Sequence, residues 1–121
     1  MEITELGRDN EDHYITSLQM INSTSCLASD LSGNLMTFHL QKQHNSRNAT
    51  AAGRIHLADM INAIVPETSK KSELSNFIMA STTGSLYSLH QVSAETFKKL
   101  KILQKNLIDM VKSIGNIDYL K

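Results

Sequence analysis

Five histidines, one cysteine and twelve carboxylates are the residues of this chain that could do chemistry. Metal binding needs ligands at fixed short spacings, and His13, His39, His44, His56 and His90 offer none. No two of them share a helical i, i+4 spacing, and none stands at a usual ligand distance along the chain from Cys26. His39 and His90 fall at equivalent places of an internal repeat, which predicts a shared structural position and not ligation. Cys26 opens an apolar stretch and reads as a small buried hydrophobe, because no base accompanies it in a nucleophile motif. A single cysteine also excludes an internal disulfide. The carboxylates are scattered, with no pair spaced for acid–base work. Ser32-Gly33-Asn34 and Thr83-Gly84-Ser85 are single-glycine turns, without the run of glycines that cradles phosphate. The expectation is a non-catalytic protein that carries no cofactor and no metal.

The elements that would position these residues must fit in 121 residues, 40% of them hydrophobic, which suits one modest core. Basic and acidic residues balance at 12 each, so no whole-molecule field favours nucleic acid or an anionic membrane. The balance hides an asymmetry: residues 1–13 hold five acidic side chains against Arg8, and residues 93–121 hold six lysines against three acids. Those lysines could contact a phosphate backbone, but a solvated helix face is the simpler source of such a pattern. No apolar run approaches the roughly 20 residues that span a bilayer, which predicts no membrane partner. The acidic start MEITELGRDNED has no apolar core and predicts no secretory signal, hence a soluble intracellular protein.

An internal repeat is the most informative pattern. Cys26–His39 aligns with Phe77–His90 at an offset of 51 without a gap, Gly33 on Gly84 and Leu35 on Leu86. Each copy reads as strand, Gly-containing turn, strand, the glycine supplying the positive φ of the turn. An apolar segment precedes each hairpin, Tyr14–Ile21 and Met60–Val65, with Ile15 matching Ile61 at an offset of 46. Gly53–Leu57 suits a short fourth strand of the first unit, and Gln41–Ala51 and Pro66–Ser75 read as loops. Three or four strands at a period near 50 predict a mainly β fold of consecutive WD-like β-propeller blades, a partial propeller. A small antiparallel meander is the other reading of the same pattern. From Ser93 the period changes, with Phe97, Leu100, Leu103 and Leu107 recurring every three or four residues. Ser93 as N-cap, Glu95 in the first turn and Gly115 as the stop predict a C-terminal amphipathic α-helix of about six turns. The expected division is the last blades of a propeller over 1–92 and the start of a helical domain over 93–121.

Leu6-Gly7-Arg8-Asp9, the strand Tyr14–Ile21, Gly33-Asn34-Leu35, Gly53–Leu57 with Ile61-Asn62, Gly84, and the helix with Leu103–Leu107 and Val111–Gly115 occur in a recognisable order. Together they resemble the carboxy-terminal part of large triple-propeller scaffolds. That family includes the large damaged-DNA-binding subunit and the large subunit of the cleavage and polyadenylation specificity factor. Arg8-Asp9, His56-Leu57 and Lys112–Gly115 lean towards the damaged-DNA-binding branch. The resemblance implies a nuclear, non-catalytic scaffold like the adaptor of a cullin–RING ubiquitin ligase in DNA repair, which docks helical segments of substrate receptors. Cullin-ligase components would bind through other parts of such a polypeptide. The sister branch implies a subunit of an mRNA 3′-end processing or splicing complex, with nucleic acid as a further partner. In a propeller, the loops entering the innermost strands form one rim. Tyr14 and Asn62 start the first strands of the two units, so they are the candidate partner-binding residues. A tyrosine gives a rigid contact with a polar tip, and an asparagine can satisfy the end groups of a docked helix. The competing reading has Tyr14 packed on its own unit and Asn62 capping a turn.

Overall fold

The computed structural model describes residues 1–43, 46–68 and 74–111. Seven strands and one helix follow in order: β1 (Ile15–Asn22), β2 (Ser25–Asp30), β3 (Asn34–Gln43), β4 (Ser46–His56), β5 (Ile61–Pro66), β6 (Asn76–Ser81), β7 (Leu86–His90) and α1 (Ala94–Met110). Strands β1-β2-β3-β4 form one antiparallel meander and β5-β6-β7 a second, three-stranded one. The chain divides into two compact units, Met1–His90 with both sheets and Gln91–Lys121 with the helix.

The internal repeat is a repeat of structure down to single hydrogen bonds. Strand β2 occupies Ser25–Asp30 and β6 occupies Asn76–Ser81, both bounds shifted by 51. Gly33 and Gly84 have φ of 79° and 88°, and each donates its N–H over 3.2 Å to the last carbonyl of the preceding strand, Asp30 or Ser81. A side-chain oxygen of that same residue accepts the next turn hydrogen bond, Asp30 from Asn34 N–H and Ser81 from Ser85 N–H. The first strands match as well. Ile15 pairs with Asp30 and Ile61 with Ser81, and each ladder then slips by one residue, at Thr16 and at Asn62. Two stretches related by unequal offsets thus close into the same bulged, three-strand motif.

The two sheets pack by unlike faces. Pairing puts Leu27 and Leu35 on one face of the first sheet and Cys26, Ala28, Met36 and Phe38 on the other. The former pack with Ile61, Ile64, Phe77 and Met79 of the second sheet in the main core, where each of the six is at most 7% exposed. By the repeat offset, Phe77 and Met79 correspond to Cys26 and Ala28, so the second sheet offers the face that the first turns the other way. Thr16 Oγ1 donates to the Ile61 carbonyl over 2.7 Å, and Ser29 Oγ to the same oxygen over 3.2 Å. Both hydroxyls are thereby satisfied inside the contact, which avoids the cost of a buried unpaired polar group.

Residues 41–51, expected as a loop, belong instead to a long hairpin. β3 runs to Gln43, and β4 covers Ser46–His56 where only Gly53–Leu57 was expected. The ladder continues from Asn34↔His56 to Gln43↔Ser46, with a slip after Thr37↔Gly53. Ser46–Ala52 carries no apolar alternation in its sequence, and it joins the sheet edge through backbone pairing with β3. The Ala49 N–H also donates to the Arg8 carbonyl over 3.0 Å. In the second expected loop, Pro66 closes β5, and residues 69–73 lie outside those described.

Taken by itself, α1 begins as its sequence dictates: Ser93 Oγ accepts the Thr96 N–H over 3.2 Å, and Glu95 lies in the first turn. It ends at Met110 with the Val111 N–H bonded to the Leu107 carbonyl. Gly115, the expected stop, lies outside the described residues.

The two turn glycines differ in surroundings, and that gives a test. A Cβ on Gly33 would stand 3.0 Å from Asp59 N and 3.2 Å from Ala58 Cα, whereas one on Gly84 meets open space. Both alanines carry the left-handed backbone penalty of about 1 kcal/mol. Gly33→Ala should therefore lower the urea midpoint clearly more than Gly84→Ala.

Candidate partner-binding site

Tyr14 immediately precedes β1, and Asn62 is the second residue of β5. The beginnings of these strands adjoin through the Thr16–Ile61 hydrogen bond. Tyr14 is 82% exposed, and its backbone is fixed by Leu31 N–H donating to its carbonyl over 2.9 Å. The same bond recurs from Thr82 to Met60, so Met60 is the structural counterpart of Tyr14. The counterpart of Asn62 is Thr16. Thr16 spends its hydroxyl on the sheet-to-sheet contact, whereas Asn62, at the same bulge, is exposed. The same bulge thus carries a hydroxyl into the sheet-to-sheet contact in one unit and an exposed carboxamide in the other.

Two polar networks, one buried and one partly exposed, hold this edge. In the first sheet, Asp30 is 4% exposed and accepts from Asn34 N–H at 2.9 Å and Asn34 Nδ2 at 2.8 Å. Asn34 Oδ1 in turn meets His56 Nδ1 at 3.1 Å. His13 faces three carboxylates, Asp9 at 3.4 Å, Glu11 at 3.5 Å and Asp30 at 3.7 Å. Burial alone would push the Asp30 carboxyl up, but the hydrogen bonds from Asn34 and the Ser32 backbone, with the Arg54 charge, hold it below the ordinary aspartate value.

In the second sheet, the corresponding place is organised around Asp59, whose Oδ2 accepts from Thr83 Oγ1 and from the Tyr87 hydroxyl, each at 2.9 Å. Desolvation opposes ionisation of Asp59, but Ser81, Thr83, Tyr87 and the Met60 backbone together bring its carboxyl down. The hydrogen bond to Asp59 pushes the Tyr87 phenol up, assisted by burial and the Asp59 charge. Asp59 stands where His13 stands in the first unit, and Ser81 where Asp30 stands. The anion has moved across the network while its place in the fold is kept.

None of these groups was singled out as a site from the sequence, where the carboxylates looked scattered. The bonds joining residues 30, 34 and 56 cross from strand to strand, and only the register of β2, β3 and β4 makes them visible. Cys26 is half-buried against Ala28, Met36 and Phe38, and burial pushes its thiol up, with the Phe38 backbone partly opposing. Among the described residues no cluster of three or more histidine, cysteine or acidic side chains is arranged to hold a metal ion. No helix among them is long and apolar enough to cross a membrane. On α1, Lys99 pairs with Glu95 at 2.8 Å, and Lys101 stands 6.0 Å over the Phe97 ring.

The fold is that of a β-rich protein built from a repeated strand motif, with polar networks that serve structure. The family model described as the CPSF A subunit region matches residues 1–121. The chain belongs to this family, whose members include the damaged-DNA-binding and polyadenylation-factor scaffolds. No curated relative matches the chain. Family membership fits a scaffold role within a larger complex of protein partners.

Asp30 and Asp59 give a pH test. Both carboxyls are held below the ordinary aspartate value, so their stabilisation is complete above the unfolded value and is lost as pH falls through the folded one. The melting temperature should drop steeply below about pH 4. Asp59→Asn, already without that charge, should melt lower at neutral pH and show a shallower drop over the same window.

Proposed function

We propose that the two sheets are consecutive WD-like propeller blades of a non-catalytic scaffold that acts in the nucleus. In this reading the edge carrying Tyr14 and Asn62 docks helical segments of substrate receptors for a cullin–RING ubiquitin ligase that serves DNA repair. The observation that carries it is the family match over the full 121 residues, taken with two equivalent sheets stacked unlike face to unlike face. Unlike-face stacking is the relation that lets identical units follow one another around a ring. An exposed tyrosine and an exposed carboxamide, each near the start of a first strand, suit a helix end with its unpaired carbonyls or N–H groups.

A second reading is favoured by the family description itself, which points to cleavage and polyadenylation specificity. There the same surface would serve assembly of an mRNA 3′-end processing complex, with nucleic acid as a further partner. Affinity purification of the tagged protein from cells separates the two. Recovery of cullin-ligase subunits supports the adaptor, and recovery of polyadenylation factors supports the processing subunit. Tyr14→Ala with Asn62→Ala should weaken capture of the helical partner by about tenfold or more and leave the melting temperature unchanged. Unaltered affinity would remove this edge from the interface.

A further inference from the structure

Helix α1 has two sides of different chemistry. At about 100° per residue, Lys98, Lys101 and Lys105 fall within about 60° of one another around the axis, and Leu100, Leu103 and Leu107 fall on the far side. The three lysines are exposed, and among the described residues none of them has a carboxylate within ion-pair distance. Lys99 differs, because it stands on another side of the helix and is neutralised by Glu95 at 2.8 Å. That leaves Asp109, one turn beyond Lys105, as the only other acid of α1. At 1.5 Å per residue the lysine stripe runs about 10 Å along the axis. Lysine is almost never fully buried without a partner, and an unpaired ammonium taken out of water is costly. Apolar protein surface can therefore cover the leucine side of α1 but not the lysine side, whatever else packs on the helix. The stripe takes water or an anion.

We propose that Lys98, Lys101 and Lys105 hold the phosphate backbone of a nucleic acid, RNA or DNA. Three like charges in a row that the fold leaves without counter-charge match a repeating anion better than a single one. A DNA duplex carries one charge per about 1.7 Å of its axis, so about 10 Å of it offers phosphates to all three lysines. An ammonium on a flexible stem suits such contacts, which position a protein on the backbone without reading bases. The inference rests on the second reading above, in which nucleic acid is a further partner, and it names the residues that make the contact. It asks nothing of the Tyr14 and Asn62 edge.

The test is fluorescence anisotropy of the whole chain with three labelled probes, between about 50 and about 200 mM salt. The probes are a single-stranded RNA, a DNA duplex and a poly-glutamate peptide, each of about 20 units. Three phosphate contacts predict that log affinity falls against log salt with a slope of about −2 on the RNA and about −2.7 on the duplex. Lys98→Gln, Lys101→Gln and Lys105→Gln should each weaken binding at low salt and bring the slope about one-third nearer to zero. Lys99→Gln should leave affinity and slope unchanged. Glutamine is nearly as good a helix former as lysine, so all four variants should keep the wild-type circular dichroism. The tighter of the two nucleic acids identifies the source of the backbone, and poly-glutamate should bind more weakly than that one. Absence of binding to both nucleic acids at about 50 mM salt overturns the proposal. So does an equal loss from Lys99→Gln, and so does poly-glutamate bound as tightly, which assigns the stripe to an acidic protein segment. The purification described above keeps the two readings apart. A chain that is recovered with polyadenylation factors but binds neither nucleic acid overturns this inference alone. One that binds through these lysines but is recovered with cullin-ligase subunits overturns the processing-subunit reading alone.

Discussion

Burial of Leu27 and Leu35 of the first sheet against Ile61, Ile64, Phe77 and Met79 of the second is the interaction on which the rest of the β unit depends. A lone three-stranded sheet of five- and six-residue strands is close to the lower limit of independent stability. β5, β6 and β7 gain a hydrophobic core only by lying on the first sheet. The polar side of the contact is set by the same geometry. Thr16 and Ser29 share the Ile61 carbonyl, and this fixes where β5 starts relative to β1. The position of Asn62 at the bulge, and of Asp59 two residues before β5, follows from that anchor.

Much of this was legible in the residues. Gly33 and Gly84 mark two turns because only positive φ closes them, and the 51-residue offset survives as shared strand bounds. The offset of 46 between Ile15 and Ile61 is confirmed by their pairing with Asp30 and Ser81, residues that are themselves 51 apart. Ser93 caps its helix as its side chain demands. What escaped was set by partners far along the chain. β4 extends back to Ser46 because β3 supplies a ladder, and a backbone ladder leaves no trace in side-chain alternation. The contacts of His13 with Asp9, Glu11 and Asp30 arise where the N-terminal segment meets the end of β2, and no sequence spacing signals that meeting.

The two polar networks show how one part of the fold tolerates different chemistry. In the first unit an aspartate at the strand end accepts from Asn34, and in the second one oxygen of an aspartate at the strand entry accepts from Thr83 and Tyr87. The first arrangement stabilises a buried carboxylate and the second a partly buried one through hydrogen-bond donors, which costs less than leaving the charge unpaired. Such networks rigidify the edge that presents Tyr14 and Asn62. Stiff strand starts suit a scaffold, because a pre-organised surface loses little freedom on binding.

The central claim is that the two sheets form one cooperative unit through the heterologous contact. Native-state hydrogen exchange of the amides of Leu27 in β2 and Met79 in β6, followed with increasing denaturant, tests this most directly. The account predicts that both open with the same free energy and the same denaturant dependence, and that Phe77→Leu lowers both equally. Exchange of Met79 through a separate opening of lower free energy, with Leu27 unaffected by the substitution, would contradict it.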